Sequence, residues 1–332
     1  MSERNRAEGW QWAKRSGHKN EENVKEFIES SAALRDSSCK RINIREKEFE
    51  SVEIGGLNET DVPSILGGQT KNKTDMVINC QGEKKINLSI KKSTGGQVYL
   101  ISGDHFMRGF EAQFGIRIPN NVKLGINLFF GQDYDAVFGR FKMANFEPSS
   151  YEKNKRRMTF DTMQKMGGEV KEASDAMLQW FKENIQNITL FCFSRGLAKE
   201  SSDWAHYVWY VNTVDPKVQM DELFDVNWLA KMMESHTDDV SYGQTRGGTT
   251  IQLPFGFVQW HFPGEKTKRA EAEARGENFK TPGCLQFHHS YNKLHSLFAS
   301  HHDSQVVCTS IHPPDAVGCL SQKNCETVGV AC

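Results

Sequence analysis

Two short runs of alternating apolar residues, Met76/Ile78/Cys80 and Ile86/Leu88/Ile90, constrain this chain most tightly. Side chains alternate faces along a strand, so each run gives a strand with one apolar face. The few residues between them make the pair a β-hairpin. Pairing Cys80 with Ile86, Ile78 with Leu88 and Met76 with Ile90 brings the apolar rows together and leaves Gly82-Glu83-Lys84 as the tip. A slip of one residue would send the rows to opposite faces, so the register is strongly specified.

That register has a chemical consequence. It sets Asp75 opposite Lys91 and Val77 opposite Ser89, so Asp75, Ser89 and Lys91 share the face away from the apolar rows. A carboxylate and an ammonium converging there can hold a hard divalent cation, which takes oxygen ligands and keeps several waters, and can polarise a water beside it. The same pair is also an ordinary cross-strand salt bridge. The flanks favour the first reading. Lys73 precedes the acid, and Lys92, Ser93 and Gln97 follow the lysine, in glycine-rich, polar and basic segments suited to close approach to phosphates.

The segment from Lys73 to Ser93 resembles the core of the PD-(D/E)XK, or restriction-endonuclease-like, nucleases, particularly type II restriction endonucleases. Asp75 matches the first acid of their motif and Lys91 its lysine. The chain departs from the pattern twice: Thr74 stands where the proline belongs, and Ser89 where the second acid belongs. The resemblance, over residues 55–115, implies a Ser-x-Lys variant in which a downstream glutamate supplies the missing carboxylate. Glu111 is the first candidate by position, with Glu29 and Glu26, on a helix preceding the first acid, behind it. It also implies Mg²⁺ as cofactor, double-stranded DNA as partner, a homodimer matching a palindromic site, and a cognate methyltransferase as genetic partner.

Composition bounds the alternatives. The 332 residues suffice for one large domain or two smaller ones. With 41 Lys+Arg against 42 Asp+Glu, average charge neither supports nor excludes nucleic acid, which needs only a local basic surface. The N-terminus leads into no apolar stretch and no 18-residue apolar run occurs, which argues against secretion and membrane spanning and for a cytoplasmic protein. The eight cysteines show no Cys-x-x-Cys spacing and read as free thiols.

Along the chain, residues 1–20 read as a polar arm, 21–235 as a nuclease core carrying the hairpin at 75–91, and 236–332 as a β-rich region. Within the core, helices are expected at 21–34, 168–188 and 221–234, and strands at 98–102, 124–130, 188–193 and 207–211. The fold class is thus α/β, a mixed sheet flanked by helices with additional C-terminal strands. The basic run containing Lys155, Arg156 and Arg157 is either a solvated turn or a phosphate clamp. In the C-terminal region, two β-rich segments flank a charged insertion at 264–281. They carry Gln252, Gln259, Gln286 and His288 on otherwise apolar strands, side chains able to address base edges.

Other chemistries fit less well. Seven histidines at 261, 288, 289, 295, 301, 302 and 312 invite a zinc or His-metal nuclease, but their spacing is too compressed for a regular ligand set. A DNA-binding protein without catalysis has no use for Asp75, because a carboxylate repels phosphate unless a cation intervenes. No Gly-x-Ser-x-Gly elbow or phosphate loop is present. The expectation is a Mg²⁺-dependent, sequence-specific endodeoxyribonuclease with Asp75, Ser89 and Lys91 as catalytic residues. The runner-up is a repair or phage nuclease without strict site preference.

Overall fold

The computed structural model describes residues 6–54, 61–215, 217–262, 270–272, 274–276 and 282–299, with side chains from Arg15 onward. The chain opens with helices α1 (Arg6–Ser30) and α2 (Ala32–Arg41), so the expected polar arm is helical from Arg6. Strands β1 (Phe49–Ile54), β2 (Asp61–Pro63), β3 (Gln69–Lys71), β4 (Met76–Cys80), β5 (Lys85–Lys91) and β6 (Gly95–Ser102) follow. A helical stretch comes next: α3 (Gly103–Phe114), α4 (Asn120–Phe129), α5 (Tyr134–Met143), α6 (Ser150–Lys155), α7 (Phe160–Met166), α8 (Gly168–Glu183) and α9 (Ile185–Leu190). The rest is β7 (Tyr207–Val211), β8 (Asp221–Asp225), α10 (Val226–Glu234), β9 (Ser241–Tyr242), β10 (Thr250–Leu253), β11 (Gly256–His261), β12 (Cys284–Ser290) and α11 (Tyr291–Ala299).

Two five-stranded sheets organise these elements. The first, in the order β1-β4-β5-β7-β8, is mixed, with β5 and β7 parallel and the other pairs antiparallel. The second, β6-β12-β11-β10-β9, is wholly antiparallel. The architecture is therefore α/β with a mixed sheet flanked by helices, and the C-terminal strands build the second sheet. Strand β6, which contains the strand expected at 98–102, belongs to that second sheet. Among the described residues no helix is long and apolar enough to cross a membrane.

Strand alternation divides the interior into two cores. Ile86, Leu88 and Ile90 of β5 and Trp209 and Val211 of β7 join Val24 and Ile28 of α1 in the smaller one. Val208 and Tyr210 face the larger one, where α3, α4, α8 and α10 and the inner face of the second sheet converge. Ser89 and Lys91 are in register with Val208 and Tyr210, so the polar side of the hairpin points towards the second sheet.

The hairpin forms as the alternation requires, but in a register two residues from the expected one: Met76 pairs with Leu88 and Ile78 with Ile86. The cause is the turn. Cys80 N–H bonds the Lys84 carbonyl at 2.8 Å, and Gly82 and Glu83 take positive φ, so the tip is Gln81-Gly82-Glu83. A shift of two leaves every side chain on its face.

Two expected strands are helices. Residues 124–130 lie mostly in α4, which crosses α8 so closely that a Cβ at Gly125 would sit 2.4 Å from the Ala173 carbonyl oxygen. Residues 188–193 close α9 and begin a π-helical turn, Phe191–Arg195. Both segments are buried on nearly every side, and full burial erases the periodicity that separates helix from strand. Residues 221–234, expected as one helix, begin as β8. The switch comes at Asp225, whose carboxylate caps α10 by accepting the Trp228 N–H at 2.9 Å.

Candidate active site

Asp75 stands just before β4, where its own N–H bonds the Leu88 carbonyl. Its Oδ2 accepts three hydrogen bonds from β5: Ile90 N–H at 2.7 Å, Ser89 Oγ at 3.1 Å and Lys91 Nζ at 3.4 Å. The lysine ammonium also donates to Ser89 Oγ at 2.7 Å and to the Ile90 carbonyl at 3.2 Å. Ser89 is buried and Lys91 largely so. The serine hydroxyl thus locks the lysine head against the carboxylate. Among the described residues nothing bonds Asp75 Oδ1.

These groups open into a cleft of about 720 Å³ between the hairpin, α1 and β6, walled also by residues 70–74, His105, Cys192 and Leu197. Glu21 of α1 enters it. The Glu21 pKa is raised to about 7, by burial first and by the Asp75 charge second, with Lys91 opposing the rise. One oxygen of Glu21 lies 3.3 Å from His18 Nδ1. The helix is pinned in place by Asn20, whose Nδ2 donates to the Val211 carbonyl at 2.9 Å and whose Oδ1 accepts from Thr213 N–H at 2.8 Å.

Glu21 was not singled out by sequence reasoning, although a signal existed. It sits three residues before Val24 and seven before Ile28, on the face of α1 that packs inward. Glu26 and Glu29 lie instead with Glu22 and Lys25 along a separate shallow surface depression.

Glu111 is not part of the cleft. Its carboxylate pairs with Lys123 at 2.8 Å and accepts the Ile118 N–H at 2.8 Å, bonds that together outweigh burial and hold its pKa below the usual value. Glu111→Gln should therefore leave the cleft around Asp75 undisturbed and cost about 0.5–1 kcal/mol of stability, read from denaturant unfolding.

The expected DNA contacts divide. Lys73 lines the cleft, but its ammonium lies 3.3 Å from the centroid of the Tyr99 ring and donates to the Val98 carbonyl at 3.2 Å. Burial brings its pKa down to about 7. Gly196, with φ +52°, closes over it: a Cβ there would meet Lys73 Cε at 3.1 Å. Lys92 bonds Ser16 of α1, and the Ser93 hydroxyl donates to the Gly95 carbonyl. Gln97 is exposed at the cleft rim.

The basic run is no phosphate clamp. Arg157 is 1% exposed, stacks 4.3 Å over Phe129 and donates to the Thr249 carbonyl at 3.1 Å. Arg156 is also buried, near the Phe262 ring, and Lys155 lies 4.9 Å over Trp260. Two adjacent arginines are drawn inward because planar guanidinium groups stack on aromatic faces.

Gln286 and His288 lie on the outer face of the second sheet, and Gln252 donates to Thr250 Oγ1 within the same sheet. Among the described residues the histidines form no three-ligand cluster. His289 is buried against Tyr210, its pKa brought down to about 3 by burial first and then by Lys91 and His288, and His295 bonds Glu222. His301, His302 and His312 lie outside the described residues, as do the last four cysteines. Cys39, Cys80 and Cys192 are buried free thiols.

Among the described residues no three His, Cys, Asp or Glu side chains form a metal cage. The fit to a divalent cation rests on two carboxylates. Asp75 and Glu21 face one cleft with mutual repulsion, and each keeps an oxygen without a hydrogen-bond donor among the described residues. An oxygen-only, two-carboxylate set suits Mg²⁺, which usually keeps waters and takes its remaining ligands from phosphate.

No protein-family model and no curated protein sequence matches the chain. Among solved structures, it is similar to restriction endonuclease MspI in complex with its cognate DNA. The identity is 12%, the alignment covers 80% of this chain and 85% of that one, and the TM-score is 0.42.

Proposed function

We propose that this protein is a Mg²⁺-dependent endonuclease that hydrolyses phosphodiester bonds of double-stranded DNA. The observation that carries this reading is the convergence of Asp75, Ser89, Lys91 and Glu21 in one cleft, with the lysine locked by the serine and two carboxylates left to repel each other. A carboxylate pair of that kind is disfavoured beside phosphate unless a cation is shared.

Asp75 and Glu21 would hold the cation. When bound, it would neutralise charge on the phosphoryl oxygens and make an attacking water more acidic. Lys91 acts at the same place from the protein side. Its ammonium, fixed by Ser89, Asp75 and the Ile90 carbonyl, faces the position where negative charge grows on the phosphate, and it pays no reorganisation when the charge develops. Ser89 orients this lysine and is not a ligand. The Ile90 N–H aims the Asp75 carboxylate by donating to its Oδ2.

Sequence-specific cleavage by a type II restriction enzyme is the finer form of the proposal, with a homodimer on a palindromic site and a protecting methyltransferase as genetic partner. The direct test is incubation of the purified protein with unmethylated phage DNA and Mg²⁺, read on a gel. Discrete bands that vanish on chelation and return with Mg²⁺ or Mn²⁺ are expected. A smear would leave a nuclease without site preference, and intact DNA would reject the enzyme reading.

A further inference from the structure

The outer face of the second sheet carries two rows of side chains in register across its strands. One runs Gln97 (β6), His288 (β12), Phe257 (β11), Gln252 (β10); the other runs Leu100, Gln286, Gln259, Thr250. Their sequence neighbours Ile251, Leu253, Val258, Leu285 and Phe287 are buried on the opposite face. Neither row contains a lysine or arginine.

The amides are joined head to tail. Gln286 Nε2 donates to Gln97 Oε1 at 2.8 Å, and Gln259 Nε2 donates to Gln286 Oε1 at 2.9 Å. Gln259 Nε2 also lies 3.2 Å from His288 Nε2. An amide nitrogen can only donate, so that imidazole nitrogen accepts and His288 is neutral with its hydrogen on Nδ1. Burial, followed by the nearby His261, lowers the His288 pKa in agreement. The ring is stacked on Phe257 with centroids 4.5 Å apart and planes 9° from parallel.

These bonds fix each side chain while leaving part of its capacity unused among the described residues. Gln97 Nε2, one N–H of Gln286 and His288 Nδ1 remain as donors, and Gln259 Oε1 remains as an acceptor. Gln97 also lines the catalytic cleft, so the ladder begins where the scissile phosphate would lie. At about 4.8 Å per strand, it extends roughly 14 Å from Gln97 to Gln252.

We propose that this glutamine–histidine ladder is the base-reading surface of the enzyme, taking nucleobase edges by direct hydrogen bonds beside the cleft. This rests on the nuclease reading above. A surface for DNA backbone contact recruits cations, whereas base edges present neutral donors and acceptors that amides match in pairs. Locking the amides to one another removes rotamer freedom before binding, so little is lost when a base is engaged.

The test maps cut sites by sequencing the ends generated from unmethylated phage DNA by the full-length wild type, Gln259→Leu and Gln286→Leu. Each variant should relax the consensus at particular positions. The kcat/KM at the wild-type site should fall about 10- to 100-fold, with a much smaller change at sites differing only at those positions. Should either variant fail to fold, exposed Gln97→Leu carries the same test. An unchanged consensus at unchanged rate, or an equal loss at every site, would overturn the ladder assignment while the nuclease stands. A wild type that cuts without site preference would do the same, and one that leaves DNA intact would remove the nuclease reading and this inference together.

Discussion

The Lys91→Ala protein should bind duplex DNA almost as the wild type does and cut it about 10²- to 10³-fold more slowly, the usual cost of losing one preorganised charge-stabilising donor. The fold should persist. Asp75 keeps its 2.7 Å bond from the Ile90 N–H and its bond from Ser89, and the apolar faces of β4 and β5 are untouched. Binding should survive because the loss of one cation forfeits only one counterion's share of the affinity. Ser89→Ala should fall between the two proteins in rate, since it removes the hydroxyl that fixes the lysine head but not the ammonium itself. Single-turnover cleavage beside an equilibrium binding assay separates these effects. Near-native cutting by Lys91→Ala would remove the assignment of this residue.

Glu21→Gln should lose cleavage by about two orders of magnitude or more, as expected when a metal-binding carboxylate is neutralised. It should also reverse in sign when stability is measured without metal. The folded-state pKa of Glu21 is raised from 4.5 to about 7, so the native protein binds more protons than the unfolded chain between those values. Stability contributed by this site is therefore present below about pH 4.5 and lost as pH rises through about 7. Above pH 7 the wild type carries the full cost of a buried, repelled carboxylate, about 3 kcal/mol. The glutamine variant avoids it. Thermal melts in chelator should show the variant more stable than wild type at pH 8 and the gap closing at pH 5. Added Mg²⁺ should raise the wild-type melting temperature at pH 8 and raise that of the variant far less. Equal Mg²⁺ shifts in the two proteins would place the cation elsewhere.

The hairpin illustrates what a local pattern can convey. Alternation alone put Asp75, Ser89 and Lys91 on one face, and the structure keeps them there although the turn moved the register by two. A period of two makes the faces immune to an even shift, so the shared face was legible while the partner across the strand was not. The C-terminal strands were legible for the same reason. The segments at 124–130 and 188–193 were not, because burial on all sides removes the contrast between faces.

Glu21 and Glu111 mark the boundary for the site. Both are helical glutamates, and sequence distance from the hairpin favoured Glu111, whose carboxylate bonds Lys123 and the Ile118 N–H away from the cleft. Which of them meets Asp75 depends on where α1 docks, and that is set by Asn20 bonding Val211 and Thr213, nearly two hundred residues away.

By itself, then, the order of residues determined the shared face of Asp75, Ser89 and Lys91, the α/β class and the polar character of the C-terminal strands, all consequences of side-chain direction within one strand. The tertiary structure alone decided that Glu21 enters the cleft of Asp75, that Arg156 and Arg157 are buried, and that Gln97 joins the second sheet to the cleft. Each of these depends on contacts between distant segments, and burial and charge proximity arise only when such segments pack.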